Sequence, residues 1–547
     1  MTPTATGQTQ TSGGLMGGGP GAARAGRRPG AWIVPALMAT AGVAVLWSTS
    51  SGPGLSPDSV VYVNAADSWL AGSGLEAFGR PVTLWPPGYP LLLGLMMHLG
   101  IGLQTGIVAL GVAAATLTVW LTHRLGRAVG LGPWGAVTSA AVVALGVWTV
   151  RVSSMAWSEP LFLVVVLATL LTCSRWLSRS PRWWEVGVVA ALVSLACVLR
   201  YAGVALLPAV VLGCVVGLRR GSTPVWGRTV ALAVGSSAGL AAVVAHNLSL
   251  GVGPTGDRVG TGMSPVRAVG HLLRALGQAV VPEPGGPMPL VAGGVGPRVT
   301  LVLTAVWFVF GGLVLLLFLC GVVSQLRMPL GPGACTTAFS TTYVAVLLYA
   351  TVSAGVDPPN ERLLQPVLPA VVVLGALGGR DVARRWVSRH AARDRADGDR
   401  GMDAAARRAG VWRRRAGVVL VVWALASTAG TAVVASRASR DGIGYNSESV
   451  ERSPLTAAIR RVAVTDGVAL SDPWQGYWIL RRDVVSLYEG DLVERVRAGA
   501  VNHLVLYPGS TNEDVSVPAL RARGIDLQPV SAGADGALYR VAVIGSP

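Results

Sequence analysis

Pro57-Asp58-Ser59-Val60-Val61-Tyr62, then Ala65-Ala66-Asp67-Ser68-Trp69-Leu70-Ala71-Gly72, then Trp85-Pro86-Pro87-Gly88-Tyr89-Pro90-Leu91-Leu92-Leu93, form the most informative stretch of the chain. Ser56 or Asp58 can cap a helix running to Leu70, and Gly72 is placed to end it. Tyr62, Ala66 and Trp69 follow Asp58 at helical spacing and share its face, whereas Asp67 falls on the opposite side. Such a helix suits a membrane interface, with Asp58 at its N-terminal end turned to solvent or a cleft. The flanks supply the membrane: an apolar block at 31–49 precedes the stretch and another at 104–122 follows it.

The same pattern recurs along all 547 residues, of which 52% are hydrophobic and only 13% charged. A hydrocarbon core ~30 Å thick is crossed by roughly 20 apolar residues in a helix, because backbone polar groups there must bond internally. Further blocks at 134–150, 157–174, 185–200, 202–218, 229–247, 299–323, 335–353, 363–379 and 416–435 bring the expectation to eleven spans. The chain reads as a polytopic α-helical membrane protein. The net charge of +17 is all arginine, since there is no lysine. Arg24, Arg27 and Arg28, then Arg124 and Arg127, Arg175, Arg179 and Arg182, Arg219, Arg220 and Arg228, Arg327, and a run from Arg380 to Arg415 fall in alternate connections. This bias places the N-terminus in the cytoplasm of a multi-pass protein of the cytoplasmic membrane. It also accounts for the basic balance without nucleic acid. All-arginine usage with abundant Ala, Gly and Val points to a high-GC bacterial genome.

Residues 1–30 read as a disordered cytoplasmic tail. The block from Ala31 is long enough to stay as a span, so no cleavable signal is expected. Cys173, Cys197, Cys214, Cys320 and Cys335 lie in or beside spans, which argues against structural disulfides and a cysteine metal site. A transmembrane unit covers 31–435, with outer loops at 50–103 and 248–298 and a basic cytoplasmic loop at 380–415. Residues 436–547 read as a small extracytoplasmic α/β domain. Strand-like runs at 468–471, 484–488, 503–507, 527–530 and 537–544 alternate with helical patterns at 453–462, 491–498 and 517–523, which favours a mostly parallel sheet.

Asp-Ser-x-x-Tyr at 58–62, followed by Trp-Pro-Pro-x-Tyr-Pro-Leu-Leu-Leu at 85–93, resembles the first periplasmic loop of GT-C glycosyltransferases. The resemblance is to the bacterial family-39-like group, related to protein O-mannosyltransferases and aminoarabinose transferases. Further pieces agree in order: Trp157-Ser158-Glu159-Pro160-Leu161-Phe162, Arg200-Tyr201-Ala202-Gly203, Thr255-Gly256-Asp257-Arg258 and Glu361-Arg362-Leu363-Leu364. The resemblance implies inverting transfer of a sugar from a polyprenyl-phosphate carrier to a glycan, lipid or protein acceptor on the outer face.

The residues suit that chemistry. Attack at an anomeric carbon needs a carboxylate to take the acceptor's proton or to hold a metal, and Asp58 is the candidate for either. The departing phosphate needs cationic donors, and arginine offers a bidentate fork. Arg258, Arg362 and Arg200 all stand at outer ends of spans. Glu159, Tyr62, Trp85 and Tyr89 complete the candidate substrate-binding set. In these relatives two acidic residues often pair early in the loop, whereas here Ser59 follows Asp58, which leaves a divalent metal open.

Plainer roles exist for each. Asp58 can simply cap its helix, Asp67 can face solvent, and Glu159 can pair with Arg151. The arginines can anchor to lipid headgroups, and Trp69, Trp85 and Tyr89 can form an interfacial belt. Asp472, Trp474 and Tyr477 suit core packing, and Asn247-Leu248-Ser249 adjoins the membrane too closely for a glycosylation acceptor. Two other classes compete with the enzyme: a transporter or flippase for a lipid-linked glycan, and a non-catalytic scaffold for envelope assembly. Charges at span ends and the lack of an internal repeat speak against transport.

Overall fold

The computed structural model describes residues 32–221, 224–258, 263–280, 297–327, 330–396, 399–463, 467–482, 484–488, 491–508, 510 and 515–544. The tail expected at 1–30, and part of the outer loop at 248–298, lie outside the described residues.

Every apolar block becomes a helix. The helices are α1 (Ile33–Ser48), α2 (Pro57–Leu70), α3 (Gly88–His98), α4 (Leu103–Ala128), α5 (Pro133–Leu145), α6 (Val147–Ser153), α7 (Glu159–Trp176) and α8 (Trp183–Leu199). A 3-10 turn, Tyr201–Leu206, leads into α9 (Leu207–Arg220), followed by α10 (Val225–Ser249), α11 (Pro265–Val280), α12 (Pro297–Arg327) and α13 (Ala334–Ser353). Then come α14 (Glu361–Leu364), α15 (Leu368–Ala396) and α16 (Asp399–Asp441). Among the described residues, seven helices are long and apolar enough to span alone, and the pair α5–α6, bent by 53°, makes an eighth. Ile33–Ser48 and Trp183–Leu199 are apolar but shorter. The protein is therefore a multi-pass membrane protein, and the expected eleven blocks are all helical without all being full-length spans.

Two glycines let connecting segments pack closely. A Cβ on Gly88 would lie 2.7 Å from the Val198 carbonyl oxygen of α8, so the Trp-Pro-Pro-Gly turn can press its backbone there only without a side chain. Gly256 sits at φ +78°, against the backbone of Thr83.

The helix α2 is packed inside the protein along much of its length. Its residues from Ser59 to Ala66 are all buried, because α3 covers one side and a helix of the C-terminal region covers another. Ser56, not Asp58, caps it by accepting from the Ser59 backbone N–H. Asp67 is half-buried, and its carboxylate accepts a hydrogen bond from the Tyr477 hydroxyl at 2.6 Å.

Two short antiparallel pairs occur: β1 (Glu76–Ala77) with β2 (Arg80–Pro81) between α2 and α3, and β3 (Gly442–Ile443) with β4 (Asn446–Ser447) after α16. The C-terminal region adds α17 (Glu448–Glu451), α18 (Pro454–Val462), β5 (Val468–Leu470), α19 (Pro473–Leu480), β6 (Val485–Ser486), α20 (Leu492–Arg497), β7 (His503–Leu506), α21 (Val517–Ala522), β8 (Ile525–Gly533) and β9 (Gly536–Val543). The sheet order is β6-β5-β7-β9-β8. β5 pairs in parallel with β6 and β7, whereas β9 is antiparallel to both β7 and β8. The sheet is mixed, not mostly parallel, because β8 and β9 form a hairpin through Ala534 and Asp535 and leave no room for a crossover helix. Phe78 stacks edge-on against Tyr477, with centroids 5.8 Å apart, so β1–β2 and α19 meet over α2.

Candidate active site

The segment before α2 fixes Asp58. Gly54 N–H donates to the Ser154 carbonyl at 2.8 Å, and Ala156 N–H donates to the Gly54 carbonyl at 2.9 Å. On the other side Leu55 N–H donates to the Ile443 carbonyl at 3.2 Å, and Tyr445 N–H donates to the Leu55 carbonyl at 3.1 Å. Residues 53–56 are thus clamped between the α6–α7 connection and the start of the C-terminal region. The Trp157 indole N–H donates to Ser56 Oγ at 2.8 Å, which ties the cap itself to the head of α7.

At that point four charged side chains from distant parts of the chain form one chain of ion pairs. Arg362 Nη2 donates to Asp58 Oδ2 at 2.6 Å, and Arg362 Nε donates to Glu159 Oε1. Glu159 Oε1 also accepts from Arg200 Nη1 at 2.8 Å, and Arg200 Nη1 lies 3.2 Å from Ser158 Oγ. The Trp157 ring lies under the Arg362 guanidinium, 4.2 Å from its Cζ. The Glu159 side chain is 0% exposed, while that of Asp58 is 25% exposed. Burial alone lowers the Arg362 pKa, but the Glu159 and Asp58 carboxylates outweigh it and hold the group above its ordinary value. Glu159 therefore does not pair with Arg151. Arg151 of α6 donates instead to Glu361 of α14, at 2.9 and 3.1 Å.

These groups border a cavity of about 550 Å³. Asp58, Tyr62, Trp85, Arg200, Arg258 and Arg362 line it together, as do Tyr201 and Asp357. Leu240 and Val244 of α10 and Val346, Leu347 and Ala350 of α13 make its wall apolar. Arg258 donates to the Leu84 carbonyl and makes no ion pair among the described residues; burial lowers its pKa. Tyr62 is held well above the ordinary phenol range by burial and by the Glu159 and Asp58 carboxylates, so its hydroxyl stays protonated. Tyr89 does not reach the cavity. It is buried behind Tyr62, ring centroids 5.2 Å apart and planes at 72°, and so belongs neither to the cavity wall nor to an interfacial belt.

Two participants, Tyr343 and Asn247, have no role at this site in the sequence reading. Tyr343, whose hydroxyl donates to the Leu363 carbonyl at 2.8 Å, closes the cavity beside α14. The Asn247 amide nitrogen lies 3.2 Å from the Thr83 carbonyl, 3.0 Å from the Tyr201 hydroxyl and 3.0 Å from the Pro254 carbonyl. It holds the segment before α3 and the segment after α10 together at the cavity rim.

The donor set does not fit a resident divalent metal at Asp58. Among the described residues no three His, Cys, Asp or Glu side chains are placed to share an ion. One Asp58 oxygen is committed to Arg362, and three guanidiniums border the same space, where a further cation is repelled.

The helical membrane bundle, with loops clamped over a polar cavity, is a fold shared with solved structures. The chain is similar to ArnT from Cupriavidus metallidurans in the apo state, with a TM-score of 0.55 and 13% identity over 94% of this chain and 99% of that one. It is equally similar to that protein bound to undecaprenyl phosphate, with a TM-score of 0.54 and 12% identity over 95% and 100%. At this identity the likeness is one of fold. No family model and no curated protein matches the chain.

Proposed function

We propose that this protein is an inverting glycosyltransferase that moves a sugar from a polyprenyl-phosphate carrier to an acceptor on the outer face of the cytoplasmic membrane. One observation carries the reading: a carboxylate, Asp58, shares a cavity with three guanidiniums, while Leu240, Val244, Val346, Leu347 and Ala350 give it an apolar wall. A lipid phosphate has the matching shape, an anion on a hydrocarbon chain. The shared fold with a protein that binds undecaprenyl phosphate supports the same donor class.

The chemistry follows from the groups present. Asp58 takes the acceptor's proton as the acceptor oxygen bonds to the anomeric carbon. The bond from that carbon to the phosphate oxygen breaks, and the phosphate departs with the electron pair and one more negative charge. Arg258, Arg362 and Arg200 stabilise that charge. A single displacement on the face opposite the phosphate inverts the anomeric centre. Trp85 offers a ring for the sugar or the first isoprene units, and the protonated Tyr62 hydroxyl is available to a sugar oxygen.

In this reading the cavity opens outward. The arginines of Arg175, Arg219 and Arg220 lie at the opposite ends of α7 and α9 from the cavity, where a cytoplasmic surface would attract them. Residues 31–435 then form the membrane unit, and 436–547 an extracytoplasmic unit resting on α2.

The test uses purified protein in lipid nanodiscs with labelled polyprenyl-monophosphate sugars and an envelope extract as acceptor. Transfer of label to acceptor with inverted anomeric configuration supports the proposal. Movement of intact labelled lipid across the bilayer, without release of its sugar, contradicts it and favours a transporter.

A further inference from the structure

Arg362 holds two anions, and they are not equivalent. Glu159 is fully enclosed and is fastened again by Arg200 at 2.8 Å, so it has nowhere to turn. Asp58 is partly exposed, lines the cavity, and is bound to Arg362 at 2.6 Å. The guanidinium is fixed below by the Trp157 ring and behind by Glu159. Asp58 and Arg362, joined through Nη2, both line the cavity. An anion arriving there meets a positioned arginine whose other contacts stay in place.

While Arg362 Nη2 donates to Asp58 Oδ2, that oxygen is engaged by the guanidinium and is not open to an acceptor hydroxyl in the cavity. We propose that the Asp58–Arg362 ion pair is an inhibitory latch opened by the donor's phosphate. This rests on the donor reading given above. The phosphate offers two oxygens to the guanidinium fork and displaces Asp58, whose carboxylate is then free to take the acceptor's proton. Donor therefore binds before acceptor chemistry is enabled. Without donor the carboxylate stays masked. After transfer Asp58 carries the acceptor's proton and the carrier phosphate holds Arg362, so the latch closes only when both have left.

The experiment reads Asp58 directly. Protein in nanodiscs is treated with a membrane-permeant carbodiimide, and modification of Asp58 is quantified by peptide mass spectrometry. Polyprenyl monophosphate, the polyprenyl alcohol of equal length, and inorganic phosphate are added in separate arms, with lipid binding measured on the same samples. Polyprenyl monophosphate is expected to raise Asp58 modification at least about tenfold, the factor a single charge-assisted hydrogen bond can protect. The alcohol should leave it unchanged. A rise with inorganic phosphate would assign the latch to the anion alone, and no rise would make the hydrocarbon chain necessary to deliver it; either supports the latch if the lipid phosphate acts. Arg362→Gln and the charge-keeping Arg362→Lys should both be modified at the high level with or without lipid. If the lipid phosphate binds and Asp58 modification stays flat or falls, the latch is wrong and the donor reading stands. If it does not bind, both are wrong.

Discussion

Asp58 and Arg362, 304 positions apart, meet at 2.6 Å in the wall of the cavity. The contact exists because three separate pieces of backbone converge there. The cap at Ser56 is tied to Trp157, Trp157 underlies the guanidinium, and the short helix α14 starts on an Asn360 side-chain cap that accepts from Leu363 N–H at 3.0 Å. A change at any of these should be felt at the others.

Replacing Arg362 by Lys keeps a positive charge but loses the fork. A lysine cannot serve Glu159, Asp58 and a phosphate at once. Turnover with lipid-linked donor should fall by roughly a hundredfold, the scale of a lost transition-state donor. Measurement of kcat and KM on the purified variant checks this.

Glu159→Gln removes the buried anion that faces two arginines. Breaking such a pair by removing one partner costs about 3–5 kcal/mol. Thermal unfolding in detergent should shift down clearly, and donor affinity should fall in the same variant because Arg362 and Arg200 lose their common anchor. A variant of normal stability and affinity would remove Glu159 from the account.

Tyr477→Phe deletes the hydroxyl that donates to Asp67 at 2.6 Å. One hydrogen bond to a carboxylate is worth about 1.5–3 kcal/mol. The C-terminal region should become easier to cleave by protease, with little change in the folding of the membrane helices. Limited proteolysis of intact protein in nanodiscs reads this out.

Gly88→Ala would place a Cβ 2.7 Å from the Val198 carbonyl oxygen. The turn must then move, at a cost of about 1–3 kcal/mol as in other overpacked sites. Because Trp85 lies on the same turn, donor affinity should drop along with stability.

The membrane helices were legible because each needs an unbroken apolar run, and that run is a property of local sequence. The candidate acid and arginines were legible too, as charges at span ends next to aromatic and Pro-Gly segments. Their pairing was not. Glu159 lies 203 positions from Arg362, and nothing local distinguishes Arg151 from Arg200 as its partner. The burial of α2 was missed for a related reason. Ser59, Asn64, Ala65 and Ala66 give it no strong polar face, and Tyr477, which covers Asp67, lies 410 positions away. The apolar cavity wall was equally hidden, since Leu240, Val244, Val346 and Leu347 look the same in sequence whether they face lipid or a cavity. The mixed sheet was misread because strand spacing does not give strand direction.

The central claim is that Asp58 is the group that accepts the acceptor's proton, and it is tested most directly by separating binding from transfer. Wild type and Asp58→Asn in nanodiscs would be compared for binding of a polyprenyl-monophosphate sugar and for release of that sugar to acceptor, each with and without chelator. The account predicts that the variant binds donor at least as tightly, since Arg362 is no longer shared with a carboxylate. It further predicts that the variant loses transfer by about 10²–10⁴-fold, the range of general base catalysis, and that chelator changes neither protein. A variant that transfers at the wild-type rate, or a wild type that chelator silences, would contradict it.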